Sequence, residues 1–194
     1  QLVLAHAAAH HGMRIGIVAE SVPAKQRAAA TALPDTIVFD DAVNVQRPEE
    51  HGDERYHGVF GGIPCQLVAP NGKQRGLDDP RAHLTTDALP NACAALGALW
   101  AEAENHYAIA TLHDGAVLRK LIGNFEKIGF TLVANEPFDI GNYNAACTRN
   151  RRALRFERAD FAAVVGPCAG LAPIRWPRMR IQDVMLPLDE VPAS

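Results

Sequence analysis

The sequence predicts a mixed α/β (α+β) fold: a single mixed sheet flanked by helices, with an antiparallel meander toward the C-terminus. Three observations carry this. Short β-branched runs at Met13–Glu20 and Thr36–Phe39 enclose a helix-forming stretch at Pro23–Leu33. Two helical stripes then follow, each leading into an apolar run. Last come three short extended runs, Tyr143–Thr148, Ala153–Glu157 and Phe161–Val165, separated by turn-like or charged residues.

Along the chain, Gly12 precedes the first strand, Pro23 opens the first helix and Pro34-Asp35 ends it. Residues 46–58 are the most polar segment and read as an exposed loop. Val59–Ala69 reads as extended chain broken by Gly61-Gly62 and Pro64, and Pro70-Asn71-Gly72-Lys73 as a turn. Leu89, Cys93, Leu96, Trp100 and Ala103 follow alternating steps of four and three, which predicts one helix over 88–105, and Tyr107–Leu112 reads as the next strand. Asp114 is placed to cap a second helix, whose stripe is Val117, Leu118, Leu121, Ile122, Phe125 and Ile128. Gly129 is its left-handed stop, and Phe130–Val133 continues as strand.

A chain of 194 residues fits one domain with a real core, so residues 13–194 are expected to form a single α/β domain. Residues 1–12, rich in Ala and His, read as a leader of uncertain origin without the basic region of a secretory signal. Hydrophobic residues at 48% and charged residues at 21% exclude global disorder. The net charge of −3 argues against a nucleic-acid partner, and no apolar run reaches the roughly 18–20 residues that span a bilayer. The four cysteines, Cys65, Cys93, Cys147 and Cys168, form no C-x-x-C pair and fit free thiols in the cytoplasm.

The segment Ile109–Phe130, ending in Phe125-Glu126-Lys127-Ile128-Gly129-Phe130, resembles the C-terminal half of GNAT-type N-acyltransferases. The resemblance spans about residues 88–150. It implies a GNAT-like fold, with helix 88–105 beneath the acyl-CoA pyrophosphate and Tyr143–Asn150 as a late strand. It implies an acetyl-CoA or other acyl-CoA cofactor held by Thr85, Thr86, Asp87 and Asn91, with Phe125 lining the acyl end and His83 and Tyr143 as catalytic candidates. Arg81–Ala88 contains no glycine, so threonine hydroxyls or loop amides must then cradle the phosphates. The implied activity is acyl transfer to a small-molecule or protein amine.

Other clusters fit quieter roles. His6 and His10 have metal-ligand spacing but no carboxylate or cysteine partner nearby, so no metal is expected. Asp40-Asp41 follows a strand, where carboxylates either bind a cation or simply face water. The arginines at 149, 151, 152, 155 and 158 suit phosphate or an acidic partner, and with the acidic 46–58 loop they are candidate contact surfaces. They support the alternative of a non-catalytic α/β interaction protein, an immunity-type binder or assembly component with a protein partner. A homo-oligomer fits either reading, and neither calls for a membrane.

Overall fold

The structure, a computed structural model, describes residues 12–52, 56–70, 72–140 and 149–161. A parallel pair comes first: β1 (Ile17–Ala19) and β2 (Ile37–Phe39) are joined by helix α1 (Pro23–Ala32). Pro23 sits in the first turn of α1, where its missing N–H costs nothing, and Ala29 is the residue α1 buries. The second sheet has the order β3-β4-β6-β5, from strands β3 (Gly58–Gly62), β4 (Trp100–His106), β5 (Phe130–Asp139) and β6 (Asn150–Arg158). β3 and β4 are parallel, whereas β6 runs antiparallel to both β4 and β5. Between β3 and β4 lie helices α2 (Ala82–Thr86) and α3 (Ala88–Leu96), and α4 (Ala116–Glu126) precedes β5. The mixed α/β class, with a mixed sheet flanked by helices, is therefore what the chain adopts. No described helix is long and apolar enough to cross a membrane.

The core lies between the sheet and α4. Ala101 and Ala103 of β4 and Leu154 and Phe156 of β6 face Val117, Leu121 and Phe125 of α4. Phe125 stacks on Phe156 with ring centroids 3.8 Å apart, and Phe130 tilts against it at 5.6 Å. The opposite face of the same strands is charged: Glu102 pairs in register with Arg155, and His106 with Arg151. Arg155 bonds both Glu102 (2.6 Å) and the buried Glu157 (3.1 Å), and its guanidinium lies 4.4 Å over the Trp100 ring.

Several sequence expectations need correction. The helix expected over 88–105 ends at Leu96. Gly97 takes a left-handed φ of 64°, and the Ala98 N–H returns to the Cys93 carbonyl. Residues Trp100–His106 are instead a strand with alternating burial. Trp100 and Ala103 satisfy the helical spacing as well as lying in a strand, and that ambiguity carries the helical stripe too far. The strand expected over Tyr107–Leu112 is a pair of short 3-10 turns. The first is started by His106 Nδ1, which accepts from the Ala108 N–H (3.3 Å). Gly115, rather than Asp114, stands at the N-cap of α4. Gly129 does take positive φ, at 82°. β5 runs on to Asp139, with a bulge near Val133, and pairs antiparallel with β6, which contains the expected Ala153–Glu157 run. The Tyr143–Thr148 run, and the Phe161–Val165 run beyond its first residue, lie outside the described residues. Part of the 46–58 loop is anchored: Pro48 is buried, and the His51 and Tyr56 rings stack beside Gly16.

Candidate active site at the carboxyl edge of the sheet

The parallel strands end in reactive or acidic residues. β1 runs into Glu20, β2 into Asp40-Asp41, β3 into Ile63-Pro64-Cys65, and Glu104 stands near the end of β4. β1 and β3 start side by side, since a Cβ on Gly16 would lie 3.1 Å from the Tyr56 ring, and both line one cavity along their lengths. Their carboxyl ends therefore point to the same side. In open α/β sheets that edge is where ligands bind, because loops diverge there and leave a crevice.

The loop after β3 is held by its carbonyls. The Ile63 N–H donates to the Glu104 carbonyl (3.1 Å), continuing the parallel ladder. Asn105, fully buried, donates through Nδ2 to the carbonyls of Ile63 (3.2 Å) and Pro64 (3.3 Å). The Thr85 hydroxyl, also fully buried, donates to the Pro64 carbonyl at 2.8 Å. The Cys65 carbonyl then accepts from the Val68 and Ala69 N–H groups, which turns the chain back into the core. Four donors thus fix the backbone on both sides of a half-buried free thiol. Downstream, Asp79 is clamped by the Arg81 backbone and guanidinium, which hold its carboxyl at about 2.

Glu104 lies over the loop's entry. A Cβ on Gly62 would come within 3.2 Å of its Oε2, so glycine lets the carboxylate lie close against the strand. Arg151 of β6 lies with Nε 2.6 Å from Glu104 Oε1. Burial, and then the Arg151 charge, push the neighbouring His106 imidazole below its usual range, while Glu104 pulls it the other way. Beside this edge is an apolar cavity of about 710 Å³, walled by β1, β3 and the Ala88, Leu89, Ala92 and Leu96 side of α3.

The two described thiols differ in kind. Cys93 is sealed in the core of α3, where burial pushes it up to about 12, whereas Cys65 is partly open to solvent. Brief treatment of the folded protein with iodoacetamide should therefore alkylate Cys65 and spare Cys93 until denaturant is added. Peptide mass spectrometry reads this out, and equal labelling of the two would mean that the Cys65 loop is no more accessible than the core.

The residues expected from the sequence divide differently. Thr85 reaches the site as an anchor of the Pro64 carbonyl. Thr86 and Asp87 form a polar joint between helices, where Asn124 Nδ2 donates to the Thr86 carbonyl at 3.0 Å and also bonds Asp87 Oδ1. His83 contacts the Pro80 carbonyl through Nδ1, Asn91 is exposed on α3, and Phe125 is fully buried in the core. Tyr143 lies outside the described residues. Sequence reasoning missed Cys65 and Glu104. The available signal was a Pro-Cys pair directly after a glycine-rich strand and a Glu-Asn pair inside what read as a helix end.

No family model matches the chain, and no curated protein matches it. Solved structures do. A prophage-encoded protein of E. coli described as a DNA modification methyltransferase aligns with a TM-score of 0.67 at 18% identity, over 93% of this chain and 51% of that one. A mutant of Spodoptera frugiperda DNMT2 aligns with a TM-score of 0.55 at 16% identity, over 79% and 46%. A Pyrococcus horikoshii protein described as an RNA methyltransferase aligns with a TM-score of 0.53 at 13% identity, over 80% and 67%. At these identities the likeness is one of fold. The chain spans about half the length of the first two neighbours.

These neighbours overturn the GNAT resemblance, and with it the acyltransferase reading and the acyl-CoA cofactor. The resembling segment encodes a helix, a left-handed glycine stop and a strand, a combination that any α/β unit of this geometry requires. The helix meant to lie beneath a pyrophosphate ends at Leu96, and the last third of its expected length belongs to β4. The exclusion of nucleic acid drawn from a net charge of −3 also fails, since the neighbours of this fold include proteins described as DNA and RNA methyltransferases. Net charge averages over the whole surface and hides a local basic edge. The reading as a non-catalytic interaction protein is not favoured either.

Proposed function

We propose that this chain provides the chemical centre for methyl transfer from S-adenosylmethionine to a base of a nucleic acid. The observation that carries this reading is the Cys65 thiol on a loop pinned by Asn105 and Thr85, with the Glu104–Arg151 pair at the same strand ends.

The residues present fit that cofactor. Glu20, Asp40 and Asp41 end the two parallel strands, where carboxylates suit ribose hydroxyls, an amine and a sulfonium charge. Ala19 and Ala42 line the adjoining cavity of about 710 Å³, which has the volume of a small-molecule site. When bound, the cofactor supplies an electrophilic methyl group on sulfur.

A fixed thiol favours a carbon acceptor over an exocyclic amine, because an amine already carries a nucleophilic lone pair whereas a pyrimidine ring carbon does not. The Cys65 thiolate adds to C6 of the ring, forming an S–C bond and shifting electron density to C5. Glu104, oriented by Arg151, relays a proton from water to the ring nitrogen during this addition, which selects cytosine because its ring nitrogen carries no hydrogen of its own. C5 takes the methyl group from the sulfonium, which would be left as a neutral thioether; C5 then gives its proton to water, the ring nitrogen returns its own, the S–C6 bond breaks and Cys65 is regenerated as thiolate. The base must leave its stack to reach a thiol at the floor of this edge. A nucleic-acid acceptor and free thiols fit the cytoplasm.

The test has two readouts: calorimetry with S-adenosylmethionine, and transfer of a labelled methyl group to cytosine-containing DNA and RNA. Glu104→Gln should lower kcat by about 10²–10⁴-fold with cofactor affinity unchanged. Failure to bind the cofactor at millimolar concentration would remove the reading.

A further inference from the structure

The same carboxyl edge carries a second cavity, of about 290 Å³, where β4 runs into Tyr107, β5 ends at Phe138-Asp139 and β6 begins at Asn150-Arg151-Arg152. Its chemistry is cationic. Arg151 Nη1 donates to the Asn150 carbonyl (2.8 Å) while its Nε pairs with Glu104. Arg152 Nη1 is committed to Asn135, to Oδ1 at 2.5 Å and the carbonyl at 3.3 Å. The Nε of Arg152 is shut off from water and has no acceptor. A guanidinium left short of acceptors in this way is costly, and an anion that reaches its outer edge from the cavity, rather than the closed-off Nε, offsets the charge. Among the described residues that line it the one carboxylate, Asp139, is buried and already accepts the Arg149 N–H at 2.9 Å.

We propose that this cavity binds a backbone phosphodiester of the nucleic acid whose base is presented to Cys65. The proposal rests on the nucleic-acid reading above. A phosphate presents two oxygens to the planar guanidinium of Arg152, a match that a lysine ammonium does not reproduce. Tyr107, half exposed beside it, offers an aromatic face to a neighbouring base. Arg151 ties the two places together, since it lines this cavity and holds Glu104. The phosphate contact sets where the strand lies, and the base contact decides what reacts.

The experiment is fluorescence anisotropy with a labelled single-stranded DNA oligonucleotide and its RNA counterpart, titrated over a range of salt concentrations. Arg152→Ala should weaken binding equally across unrelated sequences and make the slope of log K against log salt shallower by about 0.7, the signature of one lost phosphate contact on a single strand. Should that variant unfold, Arg152→Gln, which keeps a donor for Asn135 without the charge, gives the same readout. Arg119→Ala on α4 removes an equal charge elsewhere and should leave the slope as it was. The DNA and RNA arms show which backbone supplies the phosphate. An Arg152 variant with the wild-type slope, or wild-type protein with no salt-dependent binding to either strand, overturns the proposal. If the slope changes but no methyl group is transferred by the wild type, the phosphate site stands and the methyltransferase reading falls. Transfer with an unchanged slope has the opposite meaning.

Discussion

Cys65→Ser should reduce methyl transfer by at least ~10³-fold while leaving fold and cofactor binding intact. The substitution exchanges one sulfur for oxygen on a half-buried side chain, and the backbone restraints come from elsewhere. Asn105 and Thr85 hold the carbonyls of Ile63 and Pro64, and the Cys65 carbonyl keeps its two amide donors. A change in stability beyond about 0.5 kcal/mol is therefore not expected. What disappears is a nucleophile, because a serine hydroxyl is almost wholly protonated at neutral pH and does not add to a ring carbon. A second measurement makes the bond itself visible. An oligonucleotide with fluorine in place of hydrogen on C5 has no proton to lose after methylation, so the thioether to Cys65 persists and appears as a mass shift on its peptide. A Cys65→Ser variant that keeps a tenth of the wild-type rate would point to an amine acceptor, for which no thiol is needed.

Why this thiol went unnoticed in the sequence is a matter of distance along the chain. Glu104 meets Arg151, and Cys65 reaches the same edge of the sheet, only because β3 pairs in register with β4 and β4 with β6. Nothing local announces that pairing, and a glycine-rich segment ending in Ile63-Pro64 reads simply as broken extended chain. Local physics was legible where one element satisfies its own rules. The proline start of α1, the apolar stripe of α4 and the positive φ of Gly129 all follow from neighbouring residues. It failed between Gly97 and Leu112, where Trp100 and Ala103 fit helix and strand alike and where Gly97 should have outweighed the continuing stripe. The resemblance to acyltransferases came from the part of the chain whose pattern is most general. A helix, a left-handed stop and a strand specify how a chain turns and carry little about what it binds.

Phe125 separates that mistaken inference from the structure, and its replacement by alanine should be the most destabilising single change in the described chain. Phe125 is fully buried, stacked on Phe156 at 3.8 Å and against Phe130 at 5.6 Å, with Val117 and Leu121 of its own helix in the same cluster. Truncation removes the transfer free energy of the ring and leaves a hole that the sheet cannot close, since Phe156 is held by its ladder to Ala101 and Leu132. The expected loss is about 3–5 kcal/mol, a large share of the 5–15 kcal/mol that holds a domain of this size. Urea unfolding followed by circular dichroism measures it. Phe125→Leu, which keeps most of the volume, should cost clearly less. A residue lining a cofactor's acyl end would behave differently, because its loss would weaken ligand binding and leave the midpoint of unfolding nearly in place. A cost below about 1 kcal/mol for Phe125→Ala would contradict the stacked core. The same substitution also links core to chemistry: Phe156 lies on the strand that carries Arg151, so a core that shifts β6 relative to β4 moves Arg151 away from Glu104. Partial unfolding and loss of transfer should then rise together with temperature in Phe125→Ala, whereas in Cys65→Ser the activity is absent from a domain that melts like the wild type.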